Sequence, residues 1–254
     1  MTRFFASPSC VSEGFITLSE EDTAHIRSLR LRPDELFVVC DGNCTDYICR
    51  LSDEETQKSS TVAKIVDMRT SRGEPSITCS VYIAFAKGDR LDYAVQKSVE
   101  LGANDIVLYQ SSRCVAVPHD IPKKAARLQK IALETAKQCG RGIIPVVSFA
   151  VSFEEAVAQA VKNTKLSLFF YEFEENLHIK EVLEKHFSPM RECEEYSIKS
   201  VSIMLGPEGG FAPNETEYAK SKGMYIVSLG PRILRCETAP VAALSALMYH
   251  TDNL

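Results

Sequence analysis

Up to Arg72, apolar positions fall in short runs separated by turn-rich segments such as Asp41-Gly42-Asn43. The runs Phe15–Leu18, Glu35–Cys40, Asp46–Leu51 and Val62–Met68 read as strands. Short strands at this spacing predict a compact β-barrel rather than a βαβ unit. One helix interrupts them, with Ser19 as N-cap and Asp22 as a weaker capping-box partner. It runs on through His25-Ile26-Arg27-Ser28-Leu29-Arg30-Leu31-Arg32, gathers Arg27, Arg30 and Arg32, and stops at Pro33. Thr70–Ser76 is the best linker.

Beyond the linker the period switches to strand–helix alternation. Ile77–Ala86 is an apolar strand, and Lys87-Gly88-Asp89 turns it into a helix capped by Asp89. That helix carries Leu91, Val95 and Val99 at intervals of four, and Gly102 ends it. Further strands are expected at Ile106–Tyr109, Pro145–Phe149, Leu166–Tyr171, Val201–Leu205 and Tyr225–Leu229. Helices are expected near 123–138, 153–162, 213–222 and 238–250. Such alternation predicts a largely parallel sheet covered on both faces. The expected domains are therefore 1–72, β-rich, and 73–254, α/β.

Composition narrows the function classes. With 254 residues, 45% hydrophobic and 25% charged, the chain has enough apolar content to bury a core without staples. The formal charge of −5 excludes an overall basic nucleic-acid coat, though not a local basic patch. Nine cysteines form no Cys-x-x-Cys pair, and the cluster Cys40, Cys44 and Cys49 has no fourth ligand near in sequence. They read as small buried apolar residues in a reducing compartment, and no metal is expected. MTRFFASPSC lacks a signal-peptide profile, and no uncharged run approaches the ~18 residues of a spanning helix. A cytoplasmic protein without membrane contact is the expectation.

Two loops stand out, because each follows an apolar strand and precedes a helix. They are Leu205-Gly206-Pro207-Glu208-Gly209-Gly210-Phe211 and Leu229-Gly230-Pro231-Arg232-Ile233-Leu234-Arg235. Ligands of open α/β sheets settle at such strand ends. Glycine lets backbone groups reach a ligand, and proline stiffens the loop. Neither loop matches G-x-G-x-x-G or the G-K-[ST] of a P-loop, which disfavours a nucleotide hydrolase. Taken singly each loop is an ordinary turn; as a pair they outline a binding crevice.

Several charged residues carry two readings. Glu237 and Thr238 sit where the second loop enters a helix, either as capping groups or with Glu237 managing a ligand or proton. Gln96, Lys97 and Glu100 lie opposite the buried stripe of their helix, and Lys97 with Glu100 suits a surface pair. Arg113, Lys123, Lys124, Arg127, Lys130, Lys137 and Arg141 face only Asp120 and Glu134 nearby in sequence. That stretch is either a phosphate-binding patch or a solvated helix face. Residues 172–195 are strongly acidic and read as exposed surface away from any RNA.

Five motifs occur in order: Lys87-Gly88-Asp89-Arg90 with Gln96-Lys97-Ser98-Val99-Glu100-Leu101-Gly102, Ser112-Arg113-Cys114, Lys137-Gln138-Cys139-Gly140-Arg141, Gly206-Pro207-Glu208-Gly209-Gly210, and Leu229-Gly230-Pro231-Arg232-Ile233-Leu234-Arg235 leading to Glu237-Thr238. Together they resemble the 16S rRNA (uracil-N3) methyltransferase family of the SPOUT class, and the His25–Pro33 segment resembles its N-terminal module. The resemblance runs through nearly the whole chain. It implies a PUA-like β-barrel, an α/β domain with a C-terminal deep trefoil knot, and a homodimer acting on 16S rRNA in the small ribosomal subunit. It further implies S-adenosylmethionine bound by Leu205, Gly206, Pro207, Gly209, Gly210, Leu229, Gly230, Ile233, Leu234 and Thr238. The chain departs from the family in Cys236 before Glu237 and Ala239-Pro240 after Thr238, where hydroxyl-rich residues are common.

Methyl transfer to uracil N3 needs in-line positioning and a group to take the imide proton. Glu237 is the leading candidate base, with Glu208 and Glu100 behind it; Arg235 would stabilise charge on the uracil carbonyls. Arg27, Arg30, Lys97, Arg113, Lys137 and Arg141 would hold RNA around an unpaired or splayed-out base. The alternative is a non-catalytic RNA-binding or ribosome-assembly factor on the same fold. Methylation of tRNA is disfavoured by the wording of the two loops.

Overall fold

The computed structural model describes residues 1–52, 60–187 and 198–254. The chain divides into two compact units, Met1–Glu74 with Glu134–Ile144, and Pro75–Leu133 with Pro145–Leu254.

The first unit contains β1 (Arg3–Phe5), β2 (Val11–Ser12), β3 (Phe15–Thr17), α1 (Glu20–Leu29), β4 (Phe37–Cys40), β5 (Thr45–Leu51) and β6 (Val62–Thr70). They form a six-stranded sheet in the order β1-β4-β5-β6-β3-β2. β1 runs parallel to β4 and the other pairs are antiparallel, with a register shift at Ile48/Cys49. Phe4, Ile16, Leu18, Ile26, Phe37, Val39, Cys49 and Ala63 form the core, where Phe4 and Phe37 meet edge-to-face at 5.7 Å.

Ser19 caps α1 as its position predicts: its Oγ accepts from the Asp22 N–H at 3.1 Å and donates to the Asp22 carboxylate at 2.8 Å. The helix ends earlier than the sequence reading held. Arg30 closes it in the left-handed region at φ 53°, so Arg30 and Arg32 do not continue the helical face of Arg27.

Polar groups buried in this unit are paired. Arg3 grips Asp46 with both terminal nitrogens, at 2.7 and 2.6 Å, and Ser71 donates to the same carboxylate. Arg141, only 2% exposed, makes a bidentate bond to Glu74 at 2.8 and 2.7 Å. Glu74 also accepts the Gly142 N–H at 2.7 Å. Lys137 reaches Asp22 at 3.0 Å with its side chain 12% exposed.

The second unit contains β7 (Thr78–Ala84), α2 (Arg90–Glu100), β8 (Asp105–Tyr109), α3 (Ile121–Cys139, its last residues in the first unit), β9 (Val146–Phe149), α4 (Phe153–Asn163) and β10 (Leu166–Phe170). α5 (Ile179–Phe187), β11 (Ser200–Leu205), α6 (Pro213–Ser221), β12 (Tyr225–Val227) and α7 (Ala239–His250) complete it. The sheet is parallel throughout, in the order β12-β10-β11-β7-β8-β9. Its central strands are buried on both faces, as a sheet covered on two sides requires.

Two details depart from the sequence reading. Asp89 occupies the N-cap of α2 but its side chain makes no capping bond. Helix α5 lies within the acidic stretch 172–195, because Ile179, Val182, Leu183 and Phe187 recur at helical spacing and are buried. Residues 188–195 of that stretch lie outside the described residues.

Candidate active site

Because β10, β11 and β12 are parallel neighbours, their carboxyl ends Phe170, Leu205 and Val227 lie along one edge of the sheet. Three loops leave that edge, and together with Arg90 at the start of α2 they enclose a cavity of about 500 Å³. The first loop supplies Tyr171, Glu172 and Phe173; the second supplies Gly206–Gly210; the third supplies Leu229, Gly230 and Arg232–Glu237. This volume falls in the range of small-molecule sites.

The second loop is braced from below. Tyr109, fully buried, donates its hydroxyl to the Leu205 carbonyl at 2.8 Å. The Glu215 carboxylate, 5% exposed, accepts from Ser111 Oγ at 3.1 Å and from the Ser112 and Ala212 N–H groups at 2.9 Å each. Phe211 stacks on Phe169 with ring centres 4.0 Å apart, inside a cluster that includes Phe153 and Tyr218. These contacts fix the two ends of the loop, leaving its glycines to face the cavity.

Two of those glycines are required by space. Gly210 adopts φ +64°, and a Cβ there would overlap the Glu172 carboxylate. A Cβ on Gly209 would stand 2.9 Å from the Arg113 carbonyl oxygen. In the third loop, Ser228 Oγ accepts the Gly230 N–H at 3.1 Å, forming a tight turn with Gly230 at φ +111°.

The charged groups converge at one side. Glu208 accepts from the Lys87 N–H at 2.8 Å and from Arg90 Nη1 at 2.8 Å. Arg90 Nε stands 3.7 Å from Glu237 Oε2, and that oxygen also accepts the Cys236 thiol at 3.3 Å. Burial pushes the Glu208 carboxyl up, but bonds from the Lys87 and Glu208 N–H groups and from Arg90 outweigh it and hold the carboxyl below its ordinary value. Glu208 is thereby a fixed anion and acceptor, the opposite of the upward tuning that a base near neutral pH requires. Burial, reinforced by Glu237 and Glu208, pushes the Cys236 thiol up to about 12.

The cavity brings together Leu205, Gly206, Pro207, Gly209, Gly210, Leu229, Gly230, Ile233 and Leu234, with Glu208, Arg235 and Glu237. Thr238 is not among the lining residues; it is exposed at the N-cap of α7, and its N–H bonds to the Arg235 carbonyl at 2.8 Å.

Of the basic residues, Arg113 is exposed and donates to the Gly209 carbonyl at 3.4 Å. Arg27 and Arg30 are exposed, and Lys97 pairs with Glu100 at 2.8 Å. Lys137 and Arg141, expected to hold RNA, have their charged ends on Asp22 and Glu74 within the first unit. Lys124 and Arg127 are likewise paired, with Asp92. The basic stretch thus contributes fewer free cations than its sequence indicates.

Sequence reasoning missed Arg90, Cys236 and the Phe170–Phe173 loop as lining residues. Arg90 stood within a quoted motif, directly after a strand-end turn, which was the signal available. Among the described residues, no group of three or more His, Cys, Asp or Glu side chains is placed to hold a metal ion.

The residues fit an adenosyl cofactor. Leu205, Leu229, Ile233 and Leu234 offer apolar walls, glycine backbone at 206, 209, 210 and 230 offers polar groups without side chains, and Glu172, Glu208 and Glu237 add carboxylates to the lining. The fold and site define a parallel α/β domain that binds a small nucleoside-like molecule at its strand ends.

Residues 73–248 match the model of the RNA methyltransferase domain. The ribosomal RNA small subunit methyltransferase E of Bacillus subtilis is 30% identical over 94% of this chain and 91% of its own length. The enzyme of that name from Mesomycoplasma hyopneumoniae is 28% identical over 96% and 98%. The solved structure of ribosomal RNA small subunit methyltransferase E from Neisseria gonorrhoeae, bound to S-adenosyl methionine, superposes with a TM-score of 0.83 at 29% identity, covering 98% of this chain and 97% of that one. A Legionella pneumophila methyltransferase solved with the same cofactor gives 0.80 at 26% identity, over 98% and 97%. The chain belongs to the RNA methyltransferase domain family, in its ribosomal RNA small subunit methyltransferase E branch.

Proposed function

We propose that this protein uses S-adenosylmethionine to methylate N3 of a uracil in the 16S rRNA of the small ribosomal subunit. The observation that carries the reading is the three-loop cavity, whose glycines, apolar walls and convergent glutamates stand at the strand ends of a chain in the RNA methyltransferase domain family. S-adenosylmethionine supplies a methyl group on a sulfonium, an activated leaving group that needs no metal.

The chain's own residues do the rest. Leu205, Gly206, Pro207, Gly209, Gly210, Leu229, Gly230, Ile233 and Leu234 hold the cofactor. Glu237 takes the N3 proton of the uracil, and Arg235 stabilises the negative charge that develops on the uracil carbonyls. Arg113, Lys97, Arg27 and Arg30 contact RNA phosphates, and the target base leaves its stack to reach the cavity. The first unit acts as a PUA-like RNA-binding module, and the C-terminal part of the second is knotted.

The working form is a homodimer in the cytoplasm. α7 supports the dimer: it has no charged Asp, Glu, Lys or Arg, yet Val241, Ala242, Ser245 and Ala246 are only half buried and Tyr249 is 77% exposed. These positions share one helical face, and a second copy would cover it.

The test is label transfer from S-[methyl-³H]adenosylmethionine to small subunits from a strain lacking the endogenous activity. Wild type transfers label, while Glu237→Gln loses roughly 100-fold or more in rate with cofactor affinity intact. Near-wild-type transfer by Glu237→Gln removes it as the base. Subunit binding without any transfer by wild type favours the assembly-factor reading.

A further inference from the structure

The geometry points to Arg90 as the positioning residue of the site, a bridge that ties the β11–α6 and β12–α7 loops together and holds Glu237 where its carboxylate works. This rests on the methyl-transfer reading of the cavity and adds a residue to it.

Arg90 is the first residue of α2, placed there by the turn Lys87-Gly88-Asp89 that follows β7. β7 pairs directly with β11, with Ile83 opposite Leu205, so the turn after β7 abuts the loop after β11. Glu208 exploits this proximity twice, accepting the Lys87 N–H and Arg90 Nη1, each at 2.8 Å. The same guanidinium extends its Nε toward Glu237 Oε2 at 3.7 Å. A guanidinium carries donors on several edges of one rigid plane, so it can address two carboxylates at once; an ammonium point charge does this poorly.

No other cation is within 4.0 Å of Glu237 among the described residues, and Cys236 on its own loop is the remaining partner of that carboxylate. Glu208 is the fixed end of the bridge, since its carboxylate accepts the Lys87 N–H of the β7–α2 turn. Glu237 is the end that moves if the bridge is lost. The link from Arg90 to chemistry therefore runs through Glu237, and Arg90 itself need not touch the reacting atoms.

Two measurements on Arg90→Met test this. Hydrogen exchange of the intact protein reads the bridge without any turnover: amides of 206–212 and of 230–238 both exchange several-fold faster in the variant. Acceleration in one segment only, or in neither, overturns the bridge.

Kinetics read the route. Arg90→Met lowers kcat roughly tenfold with KM for S-adenosylmethionine within about threefold of wild type. The double variant Arg90→Met/Glu237→Gln stays within about twofold of Glu237→Gln alone, because residues acting as one unit are not additive. Multiplicative losses overturn the positioning role. If wild type transfers no methyl group to ribosomal RNA, the functional reading fails, and the exchange result still decides the bridge.

Discussion

Replacing Glu215 by Ala removes the carboxylate that braces the glycine loop of the cofactor cavity. Its oxygens accept from Ser111 Oγ and from the Ser112 and Ala212 N–H groups, at 2.9 to 3.1 Å, from a side chain that is 5% exposed. Hydrogen bonds to a charged group contribute about 1.5–3 kcal/mol each when removed singly, and three on one carboxylate add less than their sum. Truncation leaves two backbone donors short of an acceptor, for a total cost of about 3 kcal/mol. For a chain of this length that lowers Tm by about 6–12 °C, taking 2–4 °C per kcal/mol.

Glu215→Gln keeps one acceptor oxygen without the charge and costs about half as much. Glu217→Ala, on the exposed side of α6, changes stability by less than about 0.5 kcal/mol and serves as the control. Urea unfolding followed by circular dichroism gives the stability, and calorimetry gives the affinity for S-adenosylmethionine. The loop-bracing argument requires both to fall in Glu215→Ala. A loss below about 1 kcal/mol, or a full loss with unchanged affinity, refutes it.

Glu74→Ala removes the carboxylate paired with the buried Arg141 guanidinium and is expected to cost about 3–5 kcal/mol in urea unfolding, more than Arg141→Met, which removes the charge itself. Burial pushes the Asp46 carboxyl up, yet Arg3 and Ser71 outweigh it and hold the folded value below the ordinary 3.8. Its contribution to stability is therefore complete above 3.8 and lost as pH falls through the lower folded value, so Asp46→Asn flattens the acid limb of a Tm–pH curve. Gly210→Ala combines a left-handed backbone with overlap on Glu172; it is expected to cost about 1 kcal/mol and weaken cofactor binding roughly tenfold by calorimetry. With its thiol pushed up to about 12, Cys236 in the native protein is expected to react with iodoacetamide at pH 8 roughly tenfold or more slowly than in urea, read by peptide mass mapping.

The strands and both glycine loops were legible because their signals are local. A buried parallel strand is a run of apolar residues, and Gly-Pro after it marks a strand-end turn, so Leu205–Gly210 and Leu229–Arg235 could be placed without coordinates. α5 was not, since the charged residues between Ile179, Val182, Leu183 and Phe187 mask a four-residue apolar stripe. β1 and β2 are short, with Arg3–Phe5 gaining its place only by pairing with β4, more than thirty residues on.

Charge was the least legible property, because a cation's role depends on partners distant in the chain. Arg141 meets Glu74 across 67 residues, and Arg90 meets Glu208 across 118. Arg141, expected to hold RNA, is a buried anchor, and Arg90, to which the sequence assigned no role, lines the site. Glu208 shows the same dependence: from the sequence it is a candidate base, while the folded chain commits it to Lys87 and Arg90.

The central claim is tested most directly by nucleoside mass spectrometry of 16S rRNA, after small subunits lacking the modification are incubated with this protein and S-adenosylmethionine. N3-methyluridine appearing at one position, and absent with Glu237→Gln, is the predicted result. Methylation of a different base or of a different atom of uracil, or unmodified RNA from subunits that the protein still binds, would contradict the account.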